Sequence, residues 1–473
     1  MNKRDEQLME SVREAVQSGE VGRGMGRRHF LKSGLTTAAV SLIPLQFLSR
    51  GGIFPAAFAA DSPYGPLSLV PDDVTGTSYL KLPPGFSYMS YGSVGSLMDD
   101  GIATPGQHDG MGVCRVEDER IYLVRNHELY PGISLGNGKT APRAAYTGTN
   151  FESVYDSRAP GGATVLVFDA LKEQWESSQA GIAGTLFNCA GGPTPWGTWL
   201  TCEEFADSKS NGYNQNHGFV FEVRTDGTPS SRLPLSAMGR FRHEAAAVVD
   251  RPESGQHGYV YMTEDNGSDP CGFYRFVPNV IGDLSAGGTL QMLKIKGVGK
   301  ANMSRQTAQR WDVEWVKVTE PHKLGVFGRG KQKGGAIFTK LEGAWYGKTD
   351  HSLWFLSSYM GAKGLGRIYR LDLFNQELHM VYESPSAGVL EFPDNLTVLS
   401  NGDVLLCEDC SSSRRPRLHL MKADGSSIFP ICEFANTGTE FTGATFHGKW
   451  LFLNSQTPGR TFAITGPWEN GVL

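Results

Sequence analysis

The sequence predicts an all-β fold: a six-bladed β-propeller with a metal cluster at the mouth of its central channel. Three observations lead there. A strand–turn–strand unit recurs six times, each copy followed by further strand-like sequence where a second, outer hairpin belongs. Each unit opens on a residue that its return strand meets again, because a hairpin brings its two ends together. Five of the six opening residues, Asp109, Cys189, Glu244, Glu342 and Asp394, can bind a cation; the sixth is Thr442.

Taken from the N-terminus, residues 1–59 read as a twin-arginine signal segment rather than as structure. Arg27-Arg28-His29-Phe30-Leu31-Lys32 precedes a weakly apolar run over 35–48, and Ala57-Phe58-Ala59 forms a small-x-small cleavage site. The run is too short and interrupted for a stable membrane span. The export machinery of this pathway is therefore an expected partner, and the mature protein, starting near Ala60, is expected in the periplasm or outside the cell. Residues 60–473 read as one domain, since no shift in composition marks a boundary. A formal net charge of -5 gives no basic surplus, which argues against nucleic acid as a partner.

Residues 78–82 suggest an outer strand, and 131–160, rich in Gly, Ala and Thr, a long loop over one face. The first hairpin runs from Asp109 through DGMGV to RIYLVRNHE, ending at Glu128. The second, CAGGPTPWGTWLTCEE, runs from Cys189 through a Pro/Gly turn to Glu203 and Glu204. The third opens at Glu244 in EAAAVV and ends at Glu264 and Asp265. The fourth opens at Glu342 in EGAWYG and ends at Ser358. The fifth opens at Asp394, turns at Asn401-Gly402, and ends at Glu408 and Asp409; the sixth runs from Thr442 to Gln456. Only 302–316 looks helical.

Acidic residues commonly end strands because they suit turns, and that accounts for any single copy. It does not account for polar residues at both meeting ends of each hairpin. Many carboxylates at one low-dielectric mouth require either protonation or bound cations. Hard divalent ions take carboxylate oxygens; a thiolate among carboxylates, as Cys189 offers, suits a transition metal such as iron. An inert buried thiol is the plainer reading of Cys189, and Glu244 could simply pair with Arg242. Zinc lacks its usual ligand spacing, since Cys407-x-x-Cys410 stands without a second such pair. Seven cysteines leave at least one unpaired in an exported protein. Cys202 is expected to face a blade interior.

The block NCAGGPTPWGTWLTCEE, with GRFRHEAAAV and YVYMTEDN downstream, resembles the PhoX family of exported alkaline phosphatases, from about residue 70 to the C-terminus. The resemblance implies a six-bladed propeller with an iron and calcium cluster that hydrolyses phosphate monoesters. It implies Cys189 as the thiolate ligand of iron, and Glu244 and Glu342 as carboxylate ligands. Glu204, Glu264, Asp394 and Glu408 follow as calcium ligands, with Asn126, Arg242 and Lys340 as contacts for phosphate or metal. One departure is visible: Lys340 stands where the family carries an Arg, two residues before Glu342, and Lys offers a point charge in place of a fork. That spacing places both side chains on one strand face. The small phosphate ester is the only ligand partner implied, and a monomer is expected. The alternatives are a calcium-dependent propeller hydrolase of another class, a lactonase or phosphotriesterase, and a noncatalytic binding propeller. Iron with calcium, calcium alone, or no metal separates the three.

Overall fold

A computed structural model describes residues 62–148 and 151–471; the signal segment expected at 1–59 lies outside the described residues. The innermost strands are His108–Glu117, Asn188–Pro193, His243–Val248, Leu341–Gly347, Pro393–Val398 and Phe441–His447. Their antiparallel returns are Arg120–His127, Trp199–Glu203, Val260–Glu264, Ser352–Ser357, Val404–Glu408 and Trp450–Ser455. Most of these strands are buried on both faces, as inner strands flanked by neighbouring sheets must be, so they read as near-continuous apolar runs.

Outer strands complete each sheet in turn. Gly161–Asp169 and Gln174–Thr185 extend the first hairpin, and Phe273–Val280 with Asp283–Ile295 the third. Arg367–Asp372 with Glu377–Glu383 extend the fourth, and Arg417–Met421 with Ile428–Phe434 the fifth. The second hairpin gains only Val220–Val223 and so stays three-stranded. The sixth sheet is closed by the chain's own beginning: Ser87–Tyr91 pairs with Arg460–Thr465 near the C-terminus.

All six hairpins are present, but they fall into five sheets of three or more strands rather than six. The cause is Arg310–Lys317, which pairs with Asp283–Ile295 on one side and Glu377–Glu383 on the other and fuses the third and fourth sheets into nine strands. This strand also corrects the helix expected over 302–316, where only a short turn, Met303–Arg305, is helical. Trp311, Val313 and Trp315 alternate with exposed Asp312 and Glu314, a period of two. The α-helix among the described residues is Val326–Gln332. The outer strand expected at 78–82 is Leu80–Leu82, which with Ser68–Val70 extends the fifth sheet. No described helix is long and apolar enough to cross a membrane.

An apolar core fills every junction between neighbouring hairpins, and this closes the ring. Val124 and Val165 meet Trp199 and Phe221; Leu200 and Val220 meet Met262 and Phe276; Tyr261 and Phe273 meet Phe355 and Tyr369. Leu356 and Ile368 meet Leu396 and Leu406; Leu405 and Leu418 meet Leu453 and Phe462; Phe452 and Trp450 return to Leu123 and Phe168. Each such fully buried side chain contributes about 1.5–3 kcal/mol. Cys114, Cys202, Cys271, Cys407 and Cys432 are free thiols, and Cys202 sits in the core between the second and third hairpins.

Candidate metal centre

The second residue of each innermost strand is the mouth residue: Asp109, Cys189, Glu244, Glu342, Asp394 and Thr442, all at most 2% exposed. Two local devices aim them. First, the pairing register slips immediately after the first residue of every inner strand, a bulge that turns the next side chain out of the ladder. Second, four of the six strands are entered through a residue in the left-handed region, Gln107 (φ 48), Phe187 (φ 55), Lys340 (φ 44) and Phe392 (φ 50). The residue after the mouth position is small where the strands crowd. A Cβ on Gly443 would lie 2.4 Å from the Met111 backbone N, and one on Gly110 would lie 2.6 Å from the Ala190 Cα.

The mouth residues meet the ends of the return strands. Three groups of donors result, each with its ligand atoms within 4.8 Å of one another: Asp109, Glu128 and Cys189; Cys189, Glu204 and Glu244; Glu244, Asp265 and Glu342. Cys189 belongs to two triads, and so does Glu244. The Cys189 Sγ lies 2.9 Å from Glu244 Oε1 and 3.7 Å from Asp109 Oδ1. The seven donors thus form one buried arc across the first four hairpins. Gln456 Nε2 donates to Glu128 Oε2 (2.5 Å) and Asp109 Oδ2 (3.2 Å), and ties the sixth hairpin to one end of the arc. Lys340 Nζ hydrogen-bonds Asp265 Oδ2 (2.9 Å) and Glu342 at the other end. Lys340 occupies the kink before the inner strand rather than the strand itself, yet its side chain still reaches that of Glu342.

The terminal pairs of the return strands divide their work by alternation. The first member faces its own blade. Glu203 Oε1 and Oε2 accept from the backbone N–H groups of Leu186, Gly218 and Phe219, and Oε1 meets His217 Nδ1 at 2.6 Å. Glu264 accepts from Gly272 N (2.9 Å) and Tyr274 Oη (2.7 Å), and burial pushes its carboxyl up to about 7. Glu408 accepts from Glu391 N and from the Arg417 guanidinium. The second members, Glu128, Glu204 and Asp265, turn into the arc.

Of the residues expected at the site, Cys189, Glu204, Glu244 and Glu342 therefore converge, with Lys340 beside them. Glu264 and Glu408 do not join the donor triads, because strand alternation turns them outward. Asn126 is fully engaged elsewhere: its Nδ2 donates to the Cys189 and Ala190 carbonyls (2.9 and 2.8 Å), and its Oδ1 accepts from Trp199 and Thr201. It braces the strand that carries Cys189 instead of facing the mouth. Asp394 is buried in the fifth hairpin, where its charge, after burial itself, raises the Cys407 thiol; it is in none of the three triads. Arg242 is half-buried immediately before the third inner strand, its guanidinium 5.6 Å from the centre of the Phe205 ring. Asp109, which the sequence marks as able to bind a cation, joins the arc, and so do Glu128 and Asp265, hairpin ends that were not assigned as ligands. His243 is stacked on Phe241 at 3.6 Å and pushed down to about 3 by burial, so it is a neutral wall residue. A surface cavity of about 410 Å³, lined by Arg115, Trp196 and Glu222 among others, includes the turn at the opposite end of the second hairpin from Cys189.

Fold and donor set define a β-propeller with a buried, acid-rich, thiol-containing ring suited to metal ions. The family model for alkaline phosphatase PhoX matches residues 62–181 and 168–459, so this chain belongs to that family and is a phosphatase. Among solved structures, Pseudomonas fluorescens PhoX in complex with vanadate, a transition state analogue, is 17% identical with a TM-score of 0.63, covering 88% of this chain and 99% of that one. That likeness shows the fold. Virginiamycin B lyase from Staphylococcus aureus is more distant, at 11% identity and a TM-score of 0.38 over 80% of this chain and 99% of that one. A Dyadobacter fermentans protein reaches 10% identity and 0.41 over 81% of this chain and all of that one. A search of curated proteins returned no match.

Proposed function

We propose that this chain is an exported phosphatase that hydrolyses phosphate monoesters at an iron and calcium centre held by the arc. The observation that carries the reading is the set of three overlapping triads sharing Cys189 and Glu244, found in a member of the PhoX family. Seven anionic donors this close and this buried are costly without compensating cations. The donor chemistry fits the metals named: carboxylate oxygens from Asp109, Glu128, Glu204, Glu244, Asp265 and Glu342 suit calcium, and the Cys189 thiolate suits iron. When bound, such ions supply Lewis-acid stabilisation of charge on the transferring phosphoryl group.

The chain's own residues do the rest. Gln456 holds the Asp109 and Glu128 carboxylates to one another, and Ser358 Oγ donates to Glu342 Oε1 at 3.2 Å. Asn126 fixes the Cys189 carbonyl, and with it the thiol's direction. Lys340 supplies fixed positive charge inside the ring, and Arg242, two residues before Glu244, supplies a second cation for an incoming phosphate. The substrate is a small phosphate ester. The chain from 60 to 473 acts as one domain and as a monomer, delivered to the periplasm or beyond by the twin-arginine pathway.

Replacing Cys189 tests the reading, since it removes one donor from two triads at once. Cys189→Ser should lose bound iron and phosphatase activity while keeping the fold, measured by elemental analysis and circular dichroism. Wild-type protein that carries no iron would overturn the assignment.

A further inference from the structure

A guanidinium lies buried where the propeller ring closes. Arg125 is in Arg120–His127, the return strand of the first hairpin, and strand alternation points it away from Asn126 and toward the sixth sheet. Its Nη1 donates to Thr461 Oγ1 (2.9 Å) and to the Gly92 carbonyl (3.4 Å). Thr461 belongs to Arg460–Thr465 and Gly92 follows Ser87–Tyr91, the two strands whose pairing completes that sheet. Arg125 is 0% exposed. Its Nε and Nη2 have no hydrogen-bond partner among the described residues. These two nitrogens form the parallel N–H edge with which an arginine grips a carboxylate.

No carboxylate pairs with that edge among the described residues. The ionisable groups that sense the Arg125 charge are His108, His127, Tyr91 and Tyr146. Imidazole carries no negative charge, and burial raises both phenols, so neither type balances the guanidinium. Burial pulls Arg125 down to about 9, which still leaves it charged at neutral pH. Buried charges in proteins are paired, because an unpaired one is costly in a low dielectric. We propose that the Nε–Nη2 edge of Arg125 holds a small monovalent anion, chloride or a planar oxyanion, in the junction between the sixth and first sheets. One positive charge is matched by one negative charge, so the ligand is a monoanion and not a phosphate dianion. Arg125 faces away from the Cys189 strand, which Asn126 braces from the other side, and the site does not depend on the phosphatase reading. An anion that binds only the folded ring stabilises its closure.

The test is the melting temperature of purified protein, with its metals in place, after exhaustive dialysis into gluconate. Sodium chloride and sodium nitrate are titrated in separately at constant ionic strength, on wild type and on Arg125→Met. The apolar variant removes the charge and disturbs little else, since Thr461 Oγ1 keeps its own donation to Asn454 Oδ1 (2.7 Å). Wild type should show a saturable upward shift that Arg125→Met lacks. A shift with chloride assigns a halide, and one with nitrate alone assigns a planar oxyanion; both uphold the site. No shift in wild type, or equal shifts in the two proteins, would overturn it. If Arg125→Met does not fold, wild-type crystals soaked in sodium bromide decide. An anomalous peak beside Nε and Nη2 upholds the site, and ordered water alone at that edge refutes it.

Discussion

Glu203 and Glu204 are adjacent, chemically identical and both buried, yet strand alternation gives them opposite work. Glu203→Ala would strand three backbone donors, Leu186 N at 2.9 Å, Gly218 N at 2.8 Å and Phe219 N at 3.1 Å, and would remove the carboxylate facing His217. At about 1–3 kcal/mol for each unsatisfied buried donor, the loss is roughly 3–9 kcal/mol. Domain stabilities are about 5–15 kcal/mol, so this variant should accumulate poorly. Glu203→Gln keeps one oxygen acceptor and gives a measurable case, with a loss of about 1.5–3 kcal/mol, the worth of a hydrogen bond to a charged group. Glu204→Gln should leave the metal-free protein as stable as wild type or more so, because one like charge leaves the ring, while bound metal and turnover fall. The assays are urea unfolding after chelation and elemental analysis before it. The reasoning fails if Glu203→Gln loses metal as Glu204→Gln does, or if its unfolding midpoint matches wild type.

Three further outcomes follow from other parts of the molecule. Gly443→Ala places a methyl 2.4 Å from backbone that cannot swing aside, and should cost about 1–3 kcal/mol in urea unfolding; an unchanged midpoint would show that the inner strands are not in contact there. Burial lowers the His217 pKa, but Glu203 and Asp156 on either side outweigh it, so the folded value is raised above 6.5. Its stabilisation is therefore complete below that pH and lost as pH rises through the raised value; the advantage of wild type over His217→Gln in melting temperature should shrink with alkalinity, and parallel curves would contradict this. Changing Arg27 and Arg28 to Lys should trap precursor in the cytoplasm, and normal export of that variant would count against the twin-arginine assignment.

The hairpins were legible because a polar residue opens each otherwise apolar inner strand, and that polarity has no bland explanation when repeated at meeting ends. The choice within each terminal pair was not. Val260, Tyr261, Met262 and Thr263 are all buried, so the return strand shows no apolar–polar alternation from which to read the phase of Glu264 and Asp265. The same holds for Val404–Glu408, which is buried throughout. The bulges and the left-handed kinks at Gln107, Phe187, Lys340 and Phe392 are equally silent, since none of these residues is of the type that favours positive φ. Asn126 misled for a related reason: a polar residue in an apolar strand can serve a neighbouring backbone as readily as a ligand. The strand Arg310–Lys317 divides its pairing, its first three residues with Glu377–Glu383 and its last five with Asp283–Ile295, and its alternation was visible in Trp311, Val313 and Trp315.

The account stands most directly on whether the arc performs metal-dependent ester hydrolysis. Purified mature protein should turn over a generic aryl phosphate at alkaline pH with calcium present. It should lose that activity on exhaustive chelation and recover it when iron and calcium are restored. Turnover that survives complete removal of both metals, or fully metal-loaded protein that leaves aryl phosphates intact, would contradict it.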